Sequence, residues 1–181
     1  VERIEVRSDR FTLQKGTGMS TTAAEARRAF ERFVRWTIEK EYAPVQERLP
    51  DGEREAFAAY YKNLPKPGAE AAIERYLRGF WRSEAGWTAR WIVERAASIG
   101  KRPRVLDAGS GFGTYSMLYS AVGGDVIGAD LRPDRLDAAE KRLAFHREQT
   151  GEKLAVEYRR ADLTKEWDGD YDLVWVYNAL S

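Results

Sequence analysis

The chain has 181 residues, 43% of them hydrophobic and 12% aromatic, which is enough to bury a core and too apolar for a disordered segment. Its 30 Lys and Arg nearly balance 29 Asp and Glu, divided 18 to 15 over residues 1–100 and 12 to 14 over residues 101–181. Neither half is a basic body that neutralises many phosphates, so no nucleic-acid partner is expected.

The absence of cysteine excludes disulfides and thiolate chemistry, and the single His excludes a His-rich metal site. No apolar run approaches the roughly 18–20 residues of a membrane span. The first residues, Val-Glu-Arg-Ile-Glu-Val-Arg, lack the apolar region of a secretory signal. The expectation is a soluble, cytoplasmic protein without a metal or membrane contact, whose start at Val marks processing or truncation.

In chain order, Ile4, Val6, Phe11 and Leu13 alternate with polar residues as a marginal hairpin would. Thr22-Ala-Ala-Glu25 has the form of a capping box, so a helix should begin there. Phe30, Phe33, Val34, Thr37, Ile38, Tyr42, Val45 and Leu49 follow at helical spacing, and Pro44 should kink or end that helix. The Arg and Glu residues of 25–48 read as solvated charges paired along the helix. Further helices are expected over 53–63, 69–82 and 84–99, the last with Trp87, Trp91, Ile92 and Ala96 on one side. Residues 1–99 thus read as an N-terminal, mostly helical cap region.

After Lys101-Arg102-Pro103 the pattern changes. Strands are expected at 104–108, 125–129, 154–158 and 171–177, with helices at 114–122 and from Arg132-Pro133 to about Gln149. Strands alternating with helices imply an α/β fold with a parallel sheet. His146 reads as part of a solvated helix face, and Arg82 as a surface residue. Tyr76, Phe80 and Trp81 are assigned first to core packing. For Tyr115, contact with a ligand and plain packing stay open.

Val105-Leu-Asp107-Ala-Gly109-Ser110-Gly111-Phe-Gly113 lies between a strand and a helix. Glycines there permit positive φ and close backbone approach, and the helix N-terminus offers free N–H groups. A dinucleotide loop, G-x-G-x-x-G, would need glycine at Thr114 or Ser116, so that pattern fails.

The pattern present, D-x-G-x-G-x-G, resembles motif I of the class I S-adenosylmethionine-dependent methyltransferases. Val126-Ile-Gly-Ala-Asp130-Leu131 resembles the family's second strand, with its acid 17 residues after Gly113. Arg160-Ala-Asp162-Leu163 and Tyr171-Asp-Leu-Val-Trp-Val-Tyr-Asn178-Ala-Leu resemble the third strand end and the fourth strand with its loop. The resemblance implies that Gly109, Ser110, Gly111 and Gly113 wrap the methionine part of the cofactor, with Asp107 near its amino group. It implies that Asp130 meets the ribose, with Leu131 beside it also cofactor-binding, that Asp162 and the Leu163 backbone meet the adenine, and that Asn178 lies where the methyl group faces the acceptor.

The fold it implies is a partial Rossmann-like sheet in the order 3-2-1-4 over residues 100–181, incomplete at its C-terminus. The Asn178-Ala-Leu loop differs from the Asn-Pro-Pro-Tyr loop of many DNA-modifying relatives, which favours a small-molecule acceptor over a base or a glutamine. A protein or RNA methyltransferase, and a non-catalytic cofactor-binding subunit, remain as alternatives. No general base can be named, and an exposed fourth strand is a route to self-association.

Overall fold

The computed structural model describes residues 19–162, 164–165 and 169–177, so the expected N-terminal hairpin lies outside the described residues. Helix α1 spans Met19–Trp36 and passes through a π turn, Thr37–Glu41, into α2, Tyr42–Arg48. Three helices follow: α3 at Asp51–Tyr61, α4 at Glu70–Arg82 and α5 at Glu84–Ile99. The second half alternates β1 (Arg104–Ala108), α6 (Thr114–Ala121), β2 (Asp125–Asp130), α7 (Pro133–Thr150), β3 (Val156–Arg160) and β4 (Leu173–Val176). All pairings are parallel and the strand order is β3-β2-β1-β4, as the motifs implied.

Two local expectations are corrected. α1 is already helical at Met19, so Thr22 lies inside the helix instead of capping it. Pro44 does not end the helix. Proline has no N–H for the carbonyl four residues back, and its ring crowds that carbonyl. The π turn just before Pro44 opens the winding there, and α2 continues to Arg48.

One apolar core joins the helices to one face of the sheet. Phe30, Phe33, Leu49, Phe57, Ile73, Leu77 and Ile92 pack with Val105, Leu118, Tyr119 and Val126. Trp87 is the exception to the expected α5 face: it is 70% exposed, while Ile92 is buried. The opposite sheet face carries a smaller cluster, Leu106, Ala108, Ile127 and Ala129, whose packed neighbours are Ala161 and Tyr171. Asp172 fastens the start of β4, accepting from the Arg104 backbone N–H at 2.9 Å and from the Arg95 guanidinium at 2.8 Å.

Three charged or polar residues read as solvated are buried instead. His146 is 2% exposed, with its ring edge-on to Trp36 at 4.6 Å and near Phe33, and burial lowers its pKa. A neutral imidazole can pack among rings, which an amphipathic reading of α7 does not foresee. Arg142 and Glu41 are both fully buried. Arg142 Nε and Nη2 reach the two oxygens of Glu41 at 2.8 and 2.9 Å, so each charge is matched by a two-bond fork. Removing one member of such a buried pair typically costs about 3–5 kcal/mol.

Candidate functional site

The loop after β1 is drawn over β2. The N–H groups of Gly109 and Ser110 both donate to the Ala129 carbonyl, at 2.8 and 2.9 Å. Gly111 has φ +52°, and a Cβ built on it would meet none of the described residues within 4 Å. Its N–H donates to Asp130 Oδ2 at 2.8 Å, while Asp130 Oδ1 accepts from the Arg132 N–H at 2.9 Å. One carboxylate thus ties the glycine loop to the start of α7. A carboxylate offers about four lone-pair sites, so Asp130 keeps capacity for further donors.

Gly113 starts α6 with φ +73°, and a Cβ there would run into the Tyr158 ring. Glycine is needed at this place because β3 sends an aromatic side chain up against the helix start. Asp107, beneath the loop, is 2% exposed and accepts from Ser116 Oγ at 2.5 Å. Burial pushes its carboxyl up to about 6, against the pull of the Ser116 hydrogen bonds and with a small push from Asp130. Ser110 Oγ is buried and has no hydrogen-bond partner among the described residues.

A cavity of about 560 Å³ opens beside Gly109 and Ser110. Helices α3 and α4 give it Tyr60, Tyr76 and Phe80, α6 gives Tyr115, and the end of β4 gives Trp175 and Tyr177. The rings are continuous: Tyr76 to Phe80 at 5.6 Å, Phe80 to Tyr115 at 6.5 Å, and Tyr115 to Tyr177 at 5.1 Å. Burial raises the phenol pKa of Tyr60, Tyr76 and Tyr115, so these hydroxyls stay protonated at neutral pH and can donate. Tyr76 and Phe80 therefore serve both the core and the cavity wall, and Tyr115 faces the cavity.

Residues 105–181 match the family model described as "Methyltransferase domain". Over those residues, fewer than half of the chain, the sequence is similar to that family. The chain is 40% identical over 87 residues to the ubiquinone biosynthesis O-methyltransferase of Bordetella avium (strain 197N). The match covers 46% of this chain and 33% of that protein, so the chain spans about a third of its relative's length. Among solved structures, magnesium protoporphyrin IX methyltransferase (ChlM) from Synechocystis PCC 6803 with bound SAH is 18% identical, over 70% of this chain and 54% of that one, with a TM-score of 0.45. The glycopeptide N-methyltransferase MtfA complexed with sinefungin is 20% identical, over 53% and 39% of the two chains, with a TM-score of 0.36.

Within residues 105–181 the residues singled out from sequence are grouped unevenly. Asp107, Gly109, Ser110, Gly111, Gly113 and Asp130 form one hydrogen-bonded unit at the ends of β1 and β2. Leu131 stands beside it and is 56% exposed. Asp162 follows β3, and the adjacent Ala161 N–H donates to the Asp130 carbonyl at 3.0 Å. The Asp162 carboxylate is turned into its own bend, where it accepts from the Thr164 N–H and hydroxyl. Leu163 and Asn178 lie outside the described residues. Arg82 is exposed, as expected. Sequence reading missed Phe112, whose ring sits between Phe57 at 5.4 Å and the Arg135 guanidinium at 4.1 Å, and it missed the pair Arg142 and Glu41. A signal for Glu41 was present: Phe33, Thr37, Glu41, Val45 and Leu49 keep a strict four-residue step, longer than the 3.6 of an α-helix, with Glu41 in line with the apolar positions.

Proposed function

We propose that this chain binds S-adenosylmethionine over the loop 109–113 and serves methyl transfer to a small molecule held in the aromatic cavity. The observation that carries this reading is the placement of the cavity, which meets the glycine loop at Gly109 and Ser110 and is also lined by the helical region and the end of β4. The residues present fit the cofactor. Among the described residues the Ser110 hydroxyl is buried without a partner, the space above Gly111 is free, and Asp130 stands at a strand end with unused acceptor capacity. In this reading Asp107 holds negative charge under the site of the methionine amine, and Asp130 and Leu131 meet the ribose. Asp162 and Leu163 receive the adenine, and Asn178 lies near the acceptor.

When bound, the cofactor supplies a methyl group on a sulfonium, already an activated leaving arrangement. The protein's task is then mainly alignment of donor and acceptor. The protonated phenols of Tyr60, Tyr76 and Tyr115 suit orientation of a polar group on the acceptor and do not suit removal of a proton. The ring-lined wall fits a compact, largely apolar acceptor better than an extended peptide or an RNA strand. An oxygen acceptor agrees with the name of the Bordetella relative, an O-methyltransferase.

Calorimetry with S-adenosylhomocysteine, followed by transfer of a labelled methyl group to pools of small molecules, peptides and RNA, tests both halves. Micromolar binding and label in the small-molecule pool alone are expected. Label in peptide or RNA overturns the acceptor assignment, and absence of binding overturns the whole reading.

A further inference from the structure

Arg142 makes more contacts than an ion pair needs. Its Nη1 donates to the Thr114 hydroxyl at 2.8 Å and to the Phe112 carbonyl, both in the turn that leads from the glycine loop into α6. Its Nε and Nη2 hold Glu41, in the π turn of the helical region. The Tyr61 hydroxyl of α3 donates to the same carboxylate, and the Phe57 and Tyr60 rings lie within 5.5 and 6.0 Å of the guanidinium. One planar group therefore joins the backbone of the loop to two elements of the helical wall. A second tie runs in parallel: Glu53 of α3 meets Arg132 at 3.0 Å and Arg135 at 3.2 Å, beside the Asp130 carboxylate.

We propose that Arg142 is a positioning residue that couples the glycine loop to the helical wall, so that occupation of the loop and docking of α3 and the π turn favour each other. The inference rests on the proposed cofactor site. Its physical basis is geometric: Nη1 cannot follow a displaced Phe112 carbonyl without pulling the fork off Glu41, because the guanidinium is rigid and planar. Coupling between two such sites is reciprocal, so a ligand that fixes the loop must also stabilise the wall, and damage to the wall must weaken the ligand. Glu41 itself reaches Arg142 from a π turn, a winding common at functional positions.

The test uses S-adenosylhomocysteine as the probe on the full chain. Hydrogen exchange is followed over the loop and over residues 37–61, and calorimetry gives the dissociation constant. In the unmodified protein the ligand is expected to slow exchange in both regions. Arg142→Lys keeps a buried cation but has no fork. It is expected to weaken binding about tenfold and to abolish the slowing over 37–61 while some slowing in the loop persists. Tyr61→Phe, which leaves the Arg142–Glu41 fork intact and removes one donor from Glu41, serves if the lysine variant does not fold. It should weaken binding about threefold and halve the protection of 37–61. A lowered melting temperature with an unchanged dissociation constant and unchanged protection in both variants would show that Arg142 only stabilises the fold, and would overturn the proposal. Failure of the unmodified chain to bind the probe would overturn the function reading and this proposal together, an outcome distinct from the first.

Discussion

At the level of single residues, the two acids of the loop unit should behave differently. Asp107 has a folded-state pKa near 6, above the ordinary 3.8 of its type, because burial disfavours its charge. The folded protein therefore holds this proton more tightly than the unfolded chain does. Its contribution to stability is favourable below about pH 4 and is lost as pH rises to about 6. Binding of a cationic amine should show the opposite trend, since only the ionised form attracts it. Affinity for S-adenosylhomocysteine is expected to rise by up to about tenfold per unit between pH 5 and 6 and to level off by pH 7.5. Calorimetry across that range checks this, and a flat profile would take Asp107 out of amine recognition. Asp130→Ala removes the acceptor of the Gly111 and Arg132 N–H groups and the proposed ribose contacts together, so binding should fall roughly 10- to 100-fold. At Gly111 backbone conformation is the constraint the protein itself imposes, because among the described residues nothing stands near its missing Cβ. Gly111→Asn should weaken binding, since Asn tolerates the left-handed region but its side chain enters the space proposed for the cofactor, whereas Gly111→Val should abolish it. Equal binding by the two variants would mean that the loop does not need this conformation.

Among the secondary-structure elements, what the sequence discloses depends on which partner fixes each one. β1 and β2 are central, buried and flanked by glycines, and their limits are readable to within a residue. β3 and β4 lie at the sheet edges, where the ladder and not the side-chain pattern sets the ends, and both are shorter or shifted relative to the alternation. The loop unit was readable because its glycines and acids are contiguous in sequence. The Arg142–Glu41 fork was not, because it joins positions 101 residues apart and each charge alone resembles a solvated one. The junction of α6 with β3 gives a test at this level. Gly113→Ala drives a methyl into the Tyr158 ring and keeps φ in the left-handed region. A loss of roughly 1–3 kcal/mol is expected by denaturant unfolding. Pairing it with Tyr158→Leu, which removes the ring, should recover part of that loss. Additive losses in the double variant would place the damage elsewhere.

For the molecule as a whole, the sheet is clothed unequally. Val174 and Val176 are 54% and 50% exposed and stand in register with Leu106 and Ala108, on the face away from the helices. Together with the side of β4 that carries no paired strand among the described residues, this makes an apolar, strand-edged surface of the kind that draws chains together. Residues 1–181 are expected to self-associate in light scattering, and Val174→Thr with Val176→Thr should shift the mass toward the monomer without altering ligand affinity. A monomeric unmodified chain would remove this expectation. The π turn carries a different consequence, in the currency of insertions and deletions. Loops absorb a gained or lost residue cheaply, whereas a helix of ordinary winding turns everything beyond the change by about 100°. The stretch 37–41 already holds a residue more than ordinary winding would place there, so loss of Lys40 could be absorbed by tightening the turn, with Phe33 and Val45 both kept in the core. Pro44 stands against that shortening, because its ring would then press on the preceding turn. Homologous chains one residue shorter at this place should therefore also lack the proline, and chains that keep the proline should keep the length.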